Sequence, residues 1–222
     1  MCRDGNNEEL RYSIRSTLQN LPKGNIWVVG GKPKWYTGNH IFVRQYGDAY
    51  TNVREQLKIV CDSTKISDDF VLMNDDFFTM QKTDVPNWNG GSLEHKIANF
   101  NKYAPENLYV KRLLKTNAYL KKQGFRLPLD YELHVPMIMN KEKLKSVLNT
   151  PYLWRSIYGN TFSVGGDNHK DVKVYPGNKL LDKTILDIDT TVFLSTTDES
   201  FRNIQTLISE KFPNPSPFEL HP

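Results

Sequence analysis

From Asn7 to Leu21 the apolar residues fall at Leu10, Ile14, Leu18 and Leu21, spacings of three and four that predict an amphipathic helix. Arg11 and Arg15 lie one turn apart on an adjoining face of that helix. The run "NIWVVGG" predicts a short buried strand ended by Gly30 and Gly31, and "HIFVRQY" predicts a second. Thr51 to Asp62 returns to helical spacing, with Val53, Leu57, Val60 and Cys61 on one stripe and Thr51 or Asn52 available as cap. "DDFVLM" then predicts a third buried strand. Helix, strand, strand, helix, strand in this order points to an α/β fold, a sheet with helices on its faces.

Beyond Met80 the pattern breaks. Pro86, Asn87, Trp88, Asn89, Gly90 and Gly91 make Met80 to Leu93 a predicted mobile loop. Helical spacing resumes over Pro105 to Gln123 at Leu108, Leu113 and Leu120. "PLDYELHVPMIM" reads as extended, "KEKLKSVLN" as helical, and "DVKVY" and "TTVFLS" as strands. Glu199 to Phe212 is a closing helix ended by Pro213, Pro215 and Pro217, and there is no internal repeat.

At 222 residues, 38% hydrophobic and 24% charged, the chain has the composition of a soluble globular protein, expected to form a single compact domain. A net charge of +4 is compatible with phosphate-bearing ligands but far below that of a dedicated DNA-wrapping protein. Cys2 and Cys61 suggest neither a disulfide framework nor a thiolate metal site, which favours a reducing, cytoplasmic setting. No apolar run approaches the ~20 residues needed to span a bilayer, and "MCRDGNNEEL" is too polar for a signal peptide.

Against this background "FVLMNDDFFTM" stands out, because an apolar run leads straight into two adjacent carboxylates. Unpaired anions beside buried side chains are costly, so a positive partner is expected there. Asn74, Asp75 and Asp76 follow the third strand, where ligands gather in α/β sheets, and could hold a divalent cation that binds a diphosphate. A plain turn cap is the competing reading.

Asp130, Glu132 and His134 alternate in "LDYELHVP", so a strand would place all three on one face. A carboxylate beside an imidazole suits removal of a proton from an acceptor hydroxyl, whereas a solvated edge strand would need no such chemistry. Arg11 and Arg15 could clamp phosphate oxygens, or simply pair with Glu8 and Glu9. Arg155, His169 and Lys170 give weaker signals, and His40, His95 and His221 lack metal-ligand spacing. Neither a P-loop nor a G-x-G-x-x-G fingerprint occurs.

"NNEELRYSIRS", "IWVVGGKPKW", "FVLMNDDFF" and "ELHVPM", in that order over roughly the first two thirds of the chain, resemble the Stealth family. These are capsular-polysaccharide sugar-phosphotransferases and their relatives, with a GT-A-like nucleotide-sugar fold. The resemblance implies a GT-A-like (Rossmann-like) mixed sheet, with residues 1–80 as the nucleotide-sugar-binding half and 81–222 as the acceptor half with the closing helix. It implies that Asn7 and Arg11 shape the donor site, where the helix face would let Arg15 add positive charge. Asn74, Asp75 and Asp76 would handle the diphosphate through a metal, manganese or magnesium, and His134 would stand at the reacting centre; from the alternating pattern itself, Glu132 or His134 is the expected acceptor-side base. Only Met1 to Asn6 precede the first helix, so the first strand is expected to be absent or shortened.

The activity so implied is metal-dependent transfer of a sugar from a nucleotide diphosphate sugar to an acceptor hydroxyl. Sugar-1-phosphate transfer and a non-catalytic sugar- or nucleic-acid-binding module are the rivals. The acceptor is a glycan or a modified base of DNA, for which Lys111, Arg112, Lys115, Lys121 and Lys122 could contact phosphates. The loop carrying Trp88 would close over the donor.

Overall fold

A computed structural model describes residues 1–3, 5–104, 106–177 and 190–220. Its elements in chain order are α1 (Glu8–Asn20), β1 (Trp27–Gly30), β2 (Asn39–Phe42), α2 (Ala49–Asp62), β3 (Asp69–Leu72), β4 (Phe77–Thr79) and β5 (Trp88–Asn89). There follow α3 (Leu93–Tyr103), α4 (Leu108–Lys122), β6 (Met137–Asn140), α5 (Lys141–Leu148), α6 (Trp154–Thr161), β7 (Asp167–Asn168), β8 (Phe193–Ser195) and α7 (Asp198–Lys211). The fold is mixed α/β, and its first five elements come in the predicted order. Two compact units are formed, one by Met1–Val85, His134–Ile138 and Val172–Pro222, the other by Pro86–Leu133 and Met139–Asp171. Their boundaries cut across the expected halves 1–80 and 81–222, because α7 belongs with α1 rather than with the middle of the chain.

In the first unit α1 starts at Asn7, whose side chain accepts the Leu10 N–H at 3.1 Å. Leu10 and Ile14 bury against Val28, Trp35 and Tyr36, while Tyr12 packs against the cluster of Phe78, Phe201, Ile204 and Ile208. The helix thereby joins two apolar clusters. β1 and β2 pair in parallel from Trp27↔Asn39 to Gly30↔Phe42. On the other edge of β1, Cys2 forms a parallel bridge with Gly30, and its N–H donates to the Val29 carbonyl at 2.9 Å. Gly30 is required there, since its φ is +115° and a Cβ would lie 2.3 Å from the Cys2 carbonyl oxygen. Met1 in turn accepts the Asp75 N–H at 3.0 Å. Among the described residues ahead of α1 the chain forms no strand but a single bridge at Cys2, lying between β1 and the turn that follows β3.

β4 pairs antiparallel with β8, and Lys173 bridges Ser195 in parallel. α7 begins with a capping box between Thr197 and Ser200. β3 pairs with β6, of which Met137 and Ile138 belong to this unit. Only Leu72 of β3 is buried, less than a core strand would show. The extended reading of Pro128 to Met139 holds only at its end; Asp130 to Pro136 form no strand, so the shared face expected of Asp130, Glu132 and His134 is not built.

In the second unit α3 packs on α4, and α4 and α5 pack on α6. Neither α3 nor α6 is among the predicted elements, although Leu93, Ile97 and Phe100 in the one and Trp154, Ile157 and Tyr158 in the other fall at helical spacing. Ser92 caps α3 by accepting the His95 N–H at 3.1 Å. The predicted mobile loop contains β5, paired in parallel with β7, and Trp88 stacks on His169 with ring centroids 3.8 Å apart. None of the helices among the described residues is long and apolar enough to cross a membrane. His221 lies outside the described residues.

Candidate functional site

The turn between β3 and β4 is closed by the Phe77 N–H donating to the Asn74 carbonyl at 3.3 Å. It presents Asp75 and Asp76 to different partners. Asp75 is buried, and its Oδ2 accepts from the Arg3 N–H at 3.1 Å, from Arg3 Nε at 3.2 Å and from the side-chain amide of Asn7. One carboxylate thus ties the Met1–Arg3 segment to the start of α1. Asn7 serves both sides, because its carbonyl caps the helix while its amide holds Asp75.

Asp76 Oδ2 accepts from Lys173 Nζ at 2.5 Å, with both side chains largely buried. Its Oδ1 is buried and has no hydrogen-bond partner. A half-satisfied carboxylate is costly where water cannot reach it, and no hydrogen bond among the described residues offsets that cost at Oδ1.

Around the pair, Arg3 also donates to Glu9 and Asp198. Burial alone would lower the Arg3 pKa, but Asp75, Asp198 and Glu9 outweigh it and raise it, so its charge is fixed. Glu9 is buried and accepts from the Thr196 hydroxyl at 2.7 Å; burial pushes its carboxyl above the usual range, with Thr196 and Arg3 opposing. The Asp198 carboxyl is held below its usual range by its bond from Arg3. Arg3, Asp76, Lys173, Thr196, Thr197 and Asp198 line an open cleft of about 530 Å³.

The structure gives Arg11 and Arg15 other work. Arg11 donates to Glu8 and to Glu219, and lies over the Trp35 ring at 4.3 Å. Arg15 donates to both oxygens of Glu219 and to the Phe212 and Pro213 carbonyls. Both forks of the expected phosphate clamp close on the C-terminal segment, and Arg3 and Lys173 supply the positive charge at the acidic pair. Pairing with Glu8 was the alternative open to Arg11 in the sequence, whereas Glu219 was not foreseen.

His134 belongs to the first unit and meets the edge of Phe77, the residue after Asp76, with ring centroids 6.1 Å apart. Glu132 belongs to the second unit, where its Oε1 accepts the Ser156 N–H and hydroxyl, both at 2.9 Å, near the N-terminus of α6. Burial and neighbouring Asp130 push the Glu132 carboxyl up, against the pull of Arg155. Asp130 is buried and paired with Lys96 at 2.6 Å. The two carboxylates are built into helix packing there, and only His134 shares a unit with Asp75 and Asp76.

Among the described residues no three histidine, cysteine or carboxylate side chains converge as a ready-made metal cage. Asp75 is fully engaged on its Oδ2 side, whereas Asp76 lines the cleft with Oδ2 on Lys173 and Oδ1 buried without a hydrogen-bond partner among the described residues, so Asp76 is the carboxylate that could take a cation once Lys173 moves off it. Such a set fits a magnesium- or manganese-type ion that keeps several waters and completes its shell with phosphate oxygens, since these ions commonly use one or two carboxylates plus substrate.

Arg3, Lys173, Thr196 and Asp198 belong to no motif, and Glu9, which lies in "NNEELRYSIRS" as a possible partner for Arg11 and Arg15, pairs with Arg3 and Thr196 instead. The one available signal was Lys173 between the two valines of "DVKVY", a cation on the face opposite buried Val174. Comparison of the chain with protein-family models and with curated proteins gives no match.

Proposed function

We propose that the chain is a nucleotide-sugar-dependent transferase of GT-A type, moving a sugar from a nucleotide diphosphate sugar to an acceptor hydroxyl. The observation that carries this reading is the bare, buried Asp76 Oδ1 beside a cleft lined by Arg3 and Lys173. A carboxylate in that state suits a cation that comes and goes with an anionic ligand. The parallel succession of β2, β1, the Cys2 bridge and the turn carrying Asp75 supports a Rossmann-like nucleotide-binding arrangement.

Manganese or magnesium at Asp76 would neutralise charge on the departing diphosphate. Asp75, clamped by Arg3 and Asn7, positions the turn, and Arg3 adds fixed positive charge. His134 accepts the proton of the acceptor hydroxyl as its oxygen bonds to the anomeric carbon and the bond from that carbon to the diphosphate oxygen breaks. Glu132 drops from the reacting group, since its carboxylate serves the start of α6.

Sugar-1-phosphate transfer uses the same residues with attack at phosphorus, and a binding module would keep the cleft without turnover. The acceptor is a glycan, or DNA met by the α4 lysines. Incubation with labelled nucleotide sugar, metal and acceptor tests the choice. Nucleoside diphosphate is the expected product; nucleoside monophosphate would establish the phosphotransfer rival, and binding without either product would establish the module.

A further inference from the structure

We infer that Lys173 is a diphosphate-binding residue which, without ligand, occupies Asp76 in place of the divalent cation and moves onto phosphate when the cation takes the carboxylate. This rests on the transferase reading above. Lys173 reaches the site through long-range topology. It follows the chain's return at Val172, bridges Ser195 beside β8, and so hangs over the turn that carries Asp76.

Three features argue that the pair is more than a stabilising ion bridge. A pair kept for stability would satisfy both carboxylate oxygens, because breaking even in the interior depends on full hydrogen bonding; here Oδ1 has no hydrogen-bond partner among the described residues. The ammonium group has three donors, and among the described residues one is used, toward Asp76. Both side chains also line the same open cleft with Arg3, Thr196 and Thr197. Lysine is a compact point charge on a flexible stem, and it can change partner without rebuilding the backbone. A diphosphate arriving with its cation brings a ligand for Asp76 and an anion for Lys173 together, so the exchange conserves charge pairing on both.

The exchange makes opposite predictions for cation and anion. In Lys173→Met, manganese binding to the protein alone, followed by electron paramagnetic resonance, should tighten by about threefold or more, since Asp76 has lost its internal competitor. Binding of the common nucleoside diphosphates with manganese, followed by calorimetry, should weaken by about tenfold. Lys173→Arg, which keeps the charge, should restore diphosphate affinity, and it guards against a methionine variant that fails to fold. Lys173→Met that binds manganese no tighter, with diphosphate affinity unchanged against a wild type that does bind, overturns the role of Lys173 while leaving the transferase reading intact. A wild type that binds no nucleoside diphosphate with manganese overturns both.

Discussion

Arg11 Nη1 and Arg15 Nη2 donate to the same oxygen, Glu219 Oε2, at 2.6 and 2.7 Å. Glu219 is buried, so α1 is fastened to the C-terminal segment by one carboxylate shared between two guanidinium groups. Burial alone would raise the Glu219 pKa, yet Arg15, the Ser216 N–H and Arg11 together hold it at about 2. The folded value lies below the unfolded one, so this carboxylate stabilises the fold fully above its ordinary range, and that contribution is lost as pH falls from the ordinary value of 4.5 to about 2. Glu219→Gln should cost ~3 kcal/mol at neutral pH, because it leaves two cations without their anion. Urea unfolding at pH 7 and pH 3 checks this: the gap between wild type and variant should narrow at the lower pH.

Asp76→Asn keeps the shape of the turn but removes the charge that faces Lys173 and that the proposed cation would need. Turnover should fall by ~100-fold or more while circular dichroism stays native, on the scale of losing a preorganised electrostatic contact to the leaving group. Steady-state rates near wild type would remove Asp76 from the reaction.

Part of this was legible in the residues themselves. Leu10, Ile14, Val53 and Leu57 announce α1 and α2 because helical burial repeats locally. The acidic pair after β3 is visible because two carboxylates next to an apolar run are unusual. What could not be read depends on contacts distant in sequence. Asp75 is held by Arg3 across 72 residues, Asp76 by Lys173 across 97, and Arg15 by Glu219 across 204. No spacing rule links such pairs. The alternation of Asp130, Glu132 and His134 misled for the opposite reason. A period of two in sequence means one shared face only if a strand forms, and there Asp130 and Glu132 are drawn to Lys96 and Ser156 instead.

Glu132 and His134 can be told apart by substitution. The Glu132 carboxyl is raised above its unfolded value, so the native state resists its ionisation, and stability is lost as pH rises from the ordinary value of 4.5 to the folded value. Glu132→Gln removes that penalty and still accepts from Ser156, but it also takes away the main counter-charge of buried Arg155, so the two effects on stability oppose each other and turnover is the deciding readout: the variant should retain it. His134→Ala should lower kcat by ~100-fold or more with little change in stability, as expected on removing a general base. Rate measurements showing the reverse order would return the proton-accepting role to Glu132.

α4 carries Lys111, Arg112, Lys115, Lys121 and Lys122 and no acidic residue. Lys111, Lys115 and Lys122 lie within ~40° of one another around the helix, at axial steps of ~6 and ~10 Å, a row suited to a strand of phosphates. Lys111 is paired with exposed Glu106 at 2.9 Å and Lys121 with exposed Glu94, whereas Lys115 and Lys122 have no ion-pair partner among the described residues. Tyr119, tilted against Tyr152 with ring centroids 4.7 Å apart, is one helical turn from Lys115 and offers an aromatic surface beside the row. If DNA is the acceptor, affinity for a single strand should fall linearly with the logarithm of salt concentration. Each of Lys115→Gln and Lys122→Gln should then reduce the slope by ~0.7 and weaken different sequences alike. Fluorescence anisotropy across a salt series reads both effects. Binding that is absent at low salt, or that ignores these substitutions, leaves the lysines as a solvated face and directs the search to a glycan acceptor.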